Sequence, residues 1–267
     1  MEPVNVLSFG AGVQSTTLAL LSGSHDIPLF DFAVFADTGA EPQSVYDCLG
    51  RVRDRVSYPV ITHMHKNGLL DAVVSSDEGF KAIPAFIENP DGTVGMLRRQ
   101  CTREFKLSAI VSAIRAKLGY EPRQRVQHVV NVYVGISRDE MQRMANPLAP
   151  WMVNKYPLVD MRWRRAHCVE YLLKEWPHPV GKSSCTFCPY HDNKSWREMK
   201  ENDPDSWAQA VTVDESIRNG FKDSQSPIYL HRSMKPLTEV DFDALLARDD
   251  DQREFGFLEE CDGICGM

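Results

Sequence analysis

The sequence predicts an α/β protein: a doubly wound, mostly parallel sheet of about five strands, followed by a helical, cysteine-containing C-terminal region. Three observations carry this expectation. Short apolar runs of strand length alternate with helix-length amphipathic segments through the first half of the chain, and these runs stop after Trp163. With 267 residues, 43% hydrophobic and 25% charged, the chain has the make-up of a folded globular protein and room for an ordinary core. Strands interleaved with helices of this length imply right-handed crossovers and therefore parallel pairing.

In chain order, residues 4–9 (VNVLSF) form the first strand, which runs into the turn GAGVQST, and 16–21 begin a buried helix. Residues 31–35 (DFAVF) repeat the strand signal, and 43–56 place Val45, Leu49, Val52 and Val56 at helical spacing. Residues 60–63, 128–134 (HVVNVYV) and 156–159 supply three further strands. Between the third and fourth strands, 67–97 has little periodicity and contains Pro84, Pro90 and Gly92, so it reads as a mobile excursion over the site. Residues 103–118 show a basic amphipathic helix pattern. Beyond Arg164, helices are expected over 165–176, 194–202, 204–219 and 238–248, with Asp249-Asp250-Asp251 as a solvated turn. The expected division is an α/β domain over 1–163 and a helical region over 164–267 packed on it.

Composition limits the function. The net charge of −7 argues against a surface built for nucleic acid, although a local basic groove stays open. No apolar run approaches the roughly 18 residues of a membrane span. The N-terminus lacks a basic segment followed by an apolar one, so the expected location is the cytoplasm. There the seven cysteines are reduced, and their spacing points to metal binding or catalysis.

The chemistry begins at Ser8-Phe9-Gly10-Ala11-Gly12-Val13-Gln14-Ser15-Thr16, between a strand and a helix. Small residues let a backbone wrap an anion, and a helix N-terminus offers N–H groups and a positive dipole end. Taken alone, the segment also reads as a plain tight turn. It lacks the Gly-Lys-Ser/Thr of nucleoside triphosphatases and the full dinucleotide fingerprint.

The loop resembles the Ser-Gly-Gly-x-Asp-Ser pyrophosphate loop of the adenine-nucleotide alpha-hydrolase superfamily, with Gly10 for the leading Ser and Gln14 for the Asp. Phe35-Ala36-Asp37-Thr38-Gly39-Ala40-Glu41 resembles the adenosine-side segment of the phosphoadenylyl-sulfate reductase branch. Cys101-Thr102-Arg103-Glu104-Phe105-Lys106 resembles the Cys-Cys-x-x-Arg-Lys of iron-sulfur adenylyl-sulfate reductases. Gly135-Ile136-Ser137-Arg138-Asp139-Glu140, with Arg143, resembles their Gly-x-Arg segment. The chain as a whole resembles phage and bacterial phosphoadenosine phosphosulfate reductase-like proteins. That resemblance makes 1–163 a nucleotide-binding domain. It implies ATP or an adenylyl sulfate as substrate, with magnesium as a companion ion, held by Ser8, Gly10, Ala11, Gly12, Gln14, Ser15, Thr16, Asp37, Thr38, Gly135, Arg103 and Arg143. Lys106 and Arg138 act at the reacting groups. Guanidinium forks suit phosphate and sulfate oxygens, although each of these arginines also reads as part of a solvated helix face.

Cys185-Thr186-Phe187-Cys188 and Cys261-Asp262-Gly263-Ile264-Cys265 are close pairs that suit zinc or an iron-sulfur cluster, and spacing alone does not separate the two. The resemblance favours a [4Fe-4S] cluster on Cys101, Cys185 and Cys188, with Cys265 or Cys261 as fourth ligand. It also gives Cys261 a rival role, because Glu260-Cys261-Asp262-Gly263 is similar to the Glu-Cys-Gly tail of the reductases, whose cysteine attacks the sulfonyl sulfur. Cys48 and Cys168 read as small buried hydrophobes. The expected activity is a sulfur-metabolism reductase working with a thiol reductant. The alternatives are an ATP-dependent sulfurtransferase using a sulfur donor and a non-catalytic metal-bearing nucleotide sensor.

Overall fold

The computed structural model describes residues 2–64, 68–74, 83–219 and 226–247. Their strands are β1 (Val4–Phe9), β2 (Phe32–Asp37), β3 (Val60–Met64), β4 (Phe86–Glu88), β5 (Val94–Met96), β6 (Val130–Val134), β7 (Met152–Lys155) and β8 (Ile228–Tyr229). The helices are α1 (Val13–Leu21), α2 (Gln43–Arg55), α3 (Gly68–Val74), α4 (Ser108–Lys117), α5 (Pro157–Asp160), α6 (Arg165–Glu175), α7 (Asn193–Asn202), α8 (Pro204–Ile217) and α9 (Phe242–Ala247).

Side chains alternate across a strand, and here both faces are covered. Leu7, Phe9, Ala33 and Phe35 point to one face and join Leu18, Val45, Leu49 and Leu172, contributed by α1, α2 and α6. Val6, Phe32, Val34 and Val132 point to the other and meet Ala109, Ile110, Ala113 and Ile114 of α4. That two-sided burial is why β1 and β2 read as continuous apolar runs.

The five main strands lie in the order β3-β2-β1-β6-β7, all parallel, with Val6 opposite Phe32 on one side and Val132 on the other. The chain builds outward from β1 to β3 and then returns to the far side of β1 with β6. The order therefore reverses between β1 and β6, where doubly wound sheets open a crevice at their carboxyl ends.

A second sheet, antiparallel and ordered β5-β4-β8, sits with the C-terminal helices. Its core joins Leu69, Val73, Phe105, Phe187, Trp196 and Val213. Asp192 and Asp203 cap α7 and α8 by accepting the backbone N–H groups of Ser195 and Ser206, and Pro204 opens α8, where a missing N–H costs nothing. Packing crosses residue 163 in both directions: α6 lies against α1, while α3, β4 and β5 join the C-terminal elements.

Three expectations need correction. The fifth strand is Met152–Lys155, paired with β6, and Pro157 opens the helical turn α5 where 156–159 was expected to be extended. Its apolar residues are buried in a turn, and proline's fixed φ suits a first helical position. Within 67–97 the described residues are not a structureless excursion: α3 and the β4–β5 hairpin form there, with β8 supplying the long-range partner that local periodicity does not show. The expected 103–118 helix divides into a π-helical segment, Thr102–Leu107, and α4. Among the described residues no helix is long and apolar enough to cross a membrane. The tail with Asp249, Cys261 and Cys265 lies outside the described residues.

Candidate active site

The β1–α1 turn places the Gly10 to Ser15 loop at the carboxyl end of β1, beside β6. Ala11 is left-handed at φ 57°, the conformation glycine adopts at least cost, and it stands where the resembled pattern has Gly. Gly12 is extended and precedes α1, and its carbonyl accepts the first helical bond from Thr16 N–H at 2.9 Å. Ser15 Oγ lies inside the turn, accepting from Gly10 N–H at 3.3 Å and Gly12 N–H at 3.2 Å. β6 approaches this loop so closely that a Cβ on Gly135 would stand 2.7 Å from Ser15 N. Such a backbone turn leading into a nine-residue helix is a suitable seat for an anion.

Gln14 is fully buried. Its carbonyl oxygen accepts from Arg165 Nη1 at 3.0 Å, and its amide nitrogen donates to Glu140 Oε2 at 3.0 Å. Glu140 Oε1 in turn pairs with buried Arg143 at 2.9 Å. An amide satisfies both neighbours because it is donor and acceptor at once, whereas a carboxylate here would face Glu140 with like charge. That accounts for Gln where the resembled pattern carries Asp. Asp139 accepts the Arg165 backbone N–H at 3.1 Å and the Ser137 hydroxyl at 2.6 Å, placing negative charge at the start of α6. Arg138 donates its backbone N–H to Trp163 O at 2.7 Å and has an exposed side chain.

At the end of β2, Asp37 Oδ1 accepts from Gly39 N–H and from the Tyr46 hydroxyl, both at 2.8 Å. Burial, reinforced by Asp37, pushes the Tyr46 hydroxyl pKa up. Thr38 Oγ1 donates to Glu41 Oε1 at 3.0 Å, and Lys106 Nζ pairs with the same oxygen at 3.2 Å. A cavity of about 10 Å³ opens here, lined by Ser8, Gly10, Phe35, Glu41 and Lys106. Among the described residues, Ser8 Oγ and Glu41 Oε2 are buried without hydrogen-bond partners, so the space suits a single water and not a nucleotide.

The expected residues thus divide. Ser8, Gly10 and Lys106 line the small cavity. Gln14 and Arg143 share one buried network. Asp37 and Thr38 organise the β2 turn. Arg103 lines a separate groove of about 720 Å³ along α4, with Ser108, Arg115, Tyr120 and Leu148. Glu41 and Glu140 lie within the resembled segments but were given no role, and Arg165 was missed. The i,i+3 spacing of Glu140 and Arg143 was a usable signal for one ion pair. Nothing local marks Arg165, which arrives from another element.

Cys185 and Cys188 occupy one turn, in which Cys188 N–H donates to Cys185 O at 3.0 Å. Cys185 Sγ donates to Glu41 Oε1 at 3.6 Å and lies 3.4 Å from Thr38 Oγ1. Burial and then Glu41 push its thiol pKa well up. Cys101 is partly exposed and packs on the same C-terminal core. Among the described residues no three His, Cys, Asp or Glu side chains form a group that would hold a metal ion. A [4Fe-4S] cluster or zinc centre is therefore unsupported among the described residues, and Cys261 and Cys265 lie outside them. Cys48 and Cys168 are buried in the α1, α2 and α6 core.

No family model matches the chain, and no curated protein matches it. Among solved structures it is similar to a phosphoadenylyl-sulfate (PAPS) reductase from Candida auris in a phosphate complex. That match has 14% identity and a TM-score of 0.43, over 67% of this chain and 76% of that one.

Proposed function

We propose that the chain binds an adenine nucleotide over the Gly10 to Thr16 loop and acts as a sulfur-metabolism enzyme of phosphoadenylyl-sulfate reductase type. One observation carries this reading: the loop stands at the carboxyl end of β1, where the strand order reverses, with the Gly135 backbone packed against it. Loop amides and the α1 N-terminus receive phosphate oxygens, and Arg138 and Arg165 supply compensating charge. In this reading the Cys261 thiolate attacks the sulfonyl sulfur of the substrate, and the S–O bond to the nucleotide phosphate breaks. A second thiol, from a reductant, then releases sulfite and leaves a disulfide. A metal on Cys101, Cys185, Cys188 and Cys265 has only the family resemblance behind it, and no step here depends on one. Iron, sulfide and zinc analysis after anaerobic purification tests that ligand set.

Calorimetric titration with ATP, adenylyl sulfate and phosphoadenylyl sulfate, with GTP as control, tests the binding site. Adenine nucleotides bind, and Ser15→Ala and Arg138→Ala each weaken binding by about tenfold or more, roughly 1.4 kcal/mol. Unchanged affinity in both variants overturns the assignment. Sulfite released from phosphoadenylyl sulfate with a dithiol supports the reductase. Pyrophosphate released from ATP places the chain with sulfurtransferases, and binding without turnover makes it a sensor.

A further inference from the structure

We infer that Cys185 and Cys188 are a redox-active dithiol, which exchanges with an external disulfide and closes to an intramolecular disulfide in which Cys188 is the entry thiol and Cys185 the resolving one. This inference is independent of the nucleotide reading. Backbone geometry comes first. A turn closed by an i to i+3 hydrogen bond holds its terminal Cα atoms within about 7 Å, and a disulfide needs about 4.4–6.8 Å. The Cys188 N–H to Cys185 O bond, at 3.0 Å, closes such a turn around the pair.

The turn is also fixed in place. Thr186 N–H donates to Ala40 O at 2.8 Å, the Thr186 hydroxyl donates to Gln209, and Phe187 is fully buried. His191 closes the far side, its backbone N–H on Cys188 O at 3.1 Å and its Nε2 at 2.9 Å from Cys185 O. Two thiols held this way meet at high effective concentration, which favours ring closure over a lasting mixed disulfide.

The two sulfurs differ in surroundings. Cys188 is partly exposed, so an incoming disulfide reaches it, whereas Cys185 is buried. The Cys185 thiol already donates to Glu41 Oε1, and the other carboxylate oxygen of Glu41 has no hydrogen-bond partner. Lys106 Nζ pairs with that carboxylate at 3.2 Å in its buried setting. A resolving thiol thus has a proton acceptor beside it.

The exchange balances. The Cys188 thiol loses its proton to solvent and its sulfur attacks one sulfur of the incoming disulfide. That S–S bond breaks, and the displaced thiolate takes up a proton. Cys185 then gives its proton to Glu41, its sulfur attacks Cys188 Sγ, and the mixed disulfide breaks. The second leaving thiolate takes that proton. The incoming disulfide gains two electrons and two protons as the dithiol loses them.

The full chain, anaerobically reduced, is exposed to oxidised glutathione, quenched with an alkylating reagent and mapped by peptide mass spectrometry. Wild type acquires a Cys185–Cys188 disulfide that reduced glutathione reverses. Cys185→Ser traps glutathione on Cys188, whereas Cys188→Ser leaves Cys185 unmodified. Glu41→Gln lets the Cys188 adduct form at the normal rate but slows its closure on the order of a hundredfold, within the range of lost proton transfer. Absence of the wild-type disulfide overturns the inference whether or not the variants fold. An adduct that forms first on Cys185 overturns it as well, as does stoichiometric iron or zinc that Cys185→Ser removes.

Discussion

Gln14 joins two charged groups, taking a hydrogen bond from Arg165 and giving one to Glu140. Gln14→Glu removes the donor and sets a carboxylate against Glu140. It should cost roughly 1–3 kcal/mol, read as a lowered urea midpoint with unchanged slope. Adding Glu140→Gln recovers most of that loss, because donor and acceptor have only exchanged places; a double variant no better than the single one refutes the bridge. Gly135 acts through what it lacks. An alanine methyl would meet backbone at 2.7 Å, and backbone cannot swing aside as a side-chain tip does. Gly135→Ala should destabilise by roughly 1–3 kcal/mol and weaken nucleotide binding with it. Wild-type stability and affinity would show that the β6 approach is looser than described.

At the scale of elements, α8 is tied to the segment following β8 by one residue. Buried Asp214 accepts Leu230 N–H at 2.9 Å and Leu237 N–H at 3.0 Å and pairs with Arg218. Burial raises its pKa despite these partners. Asp214→Ala strands two backbone donors and a cation, a loss of roughly 3–5 kcal/mol. Hydrogen exchange should show it first at Leu230 and Leu237, with β1 and β6 protected. Equal loss of protection everywhere would mean that the C-terminal elements do not open separately. The β4–β5 hairpin shows why sequence reading stops at such places. Three-residue strands carry too little periodicity to announce themselves, and β4 gains its second neighbour, β8, from more than a hundred residues away.

For the whole molecule, two histidines set the acid limb of stability. His231 Nδ1 accepts Ser233 N–H at 3.1 Å while Nε2 faces Asn193 Oδ1 at 2.9 Å, an arrangement suited to neutral imidazole. Burial, with Arg232 adding to it, lowers its pKa from 6.5 to about 4. Burial likewise lowers His191 to about 4. Between those values the unfolded chain binds protons that the folded chain refuses. Stability from this source is therefore complete above pH 6.5 and is lost as pH falls towards 4. Urea midpoints measured from pH 7.5 down to 5 should decline, and His231→Gln should flatten the decline even if it lowers the plateau. A midpoint independent of pH across that window would refute the neutral, buried assignment.

The order of elements and the location of the loop were legible in the sequence because both are local. A strand buried on both faces must be a continuous apolar run, as residues 4–9 and 31–35 are, and a glycine-containing turn between such a run and a helix marks where the loop lies. The same local signals misplaced the fifth strand, since buried apolar residues around Pro157 look alike in a strand and in a helical turn. What surrounds the loop was decided only by the tertiary structure. Gln14 meets Arg165 across 151 positions, Cys185 meets Glu41 across 144, and Lys106 is paired with Glu41, to which the resembled segment assigns no role. Charge and hydrogen bonding act through space over a few ångströms, so which cation stays available and which thiol stays protonated depends on neighbours the chain acquires only on folding.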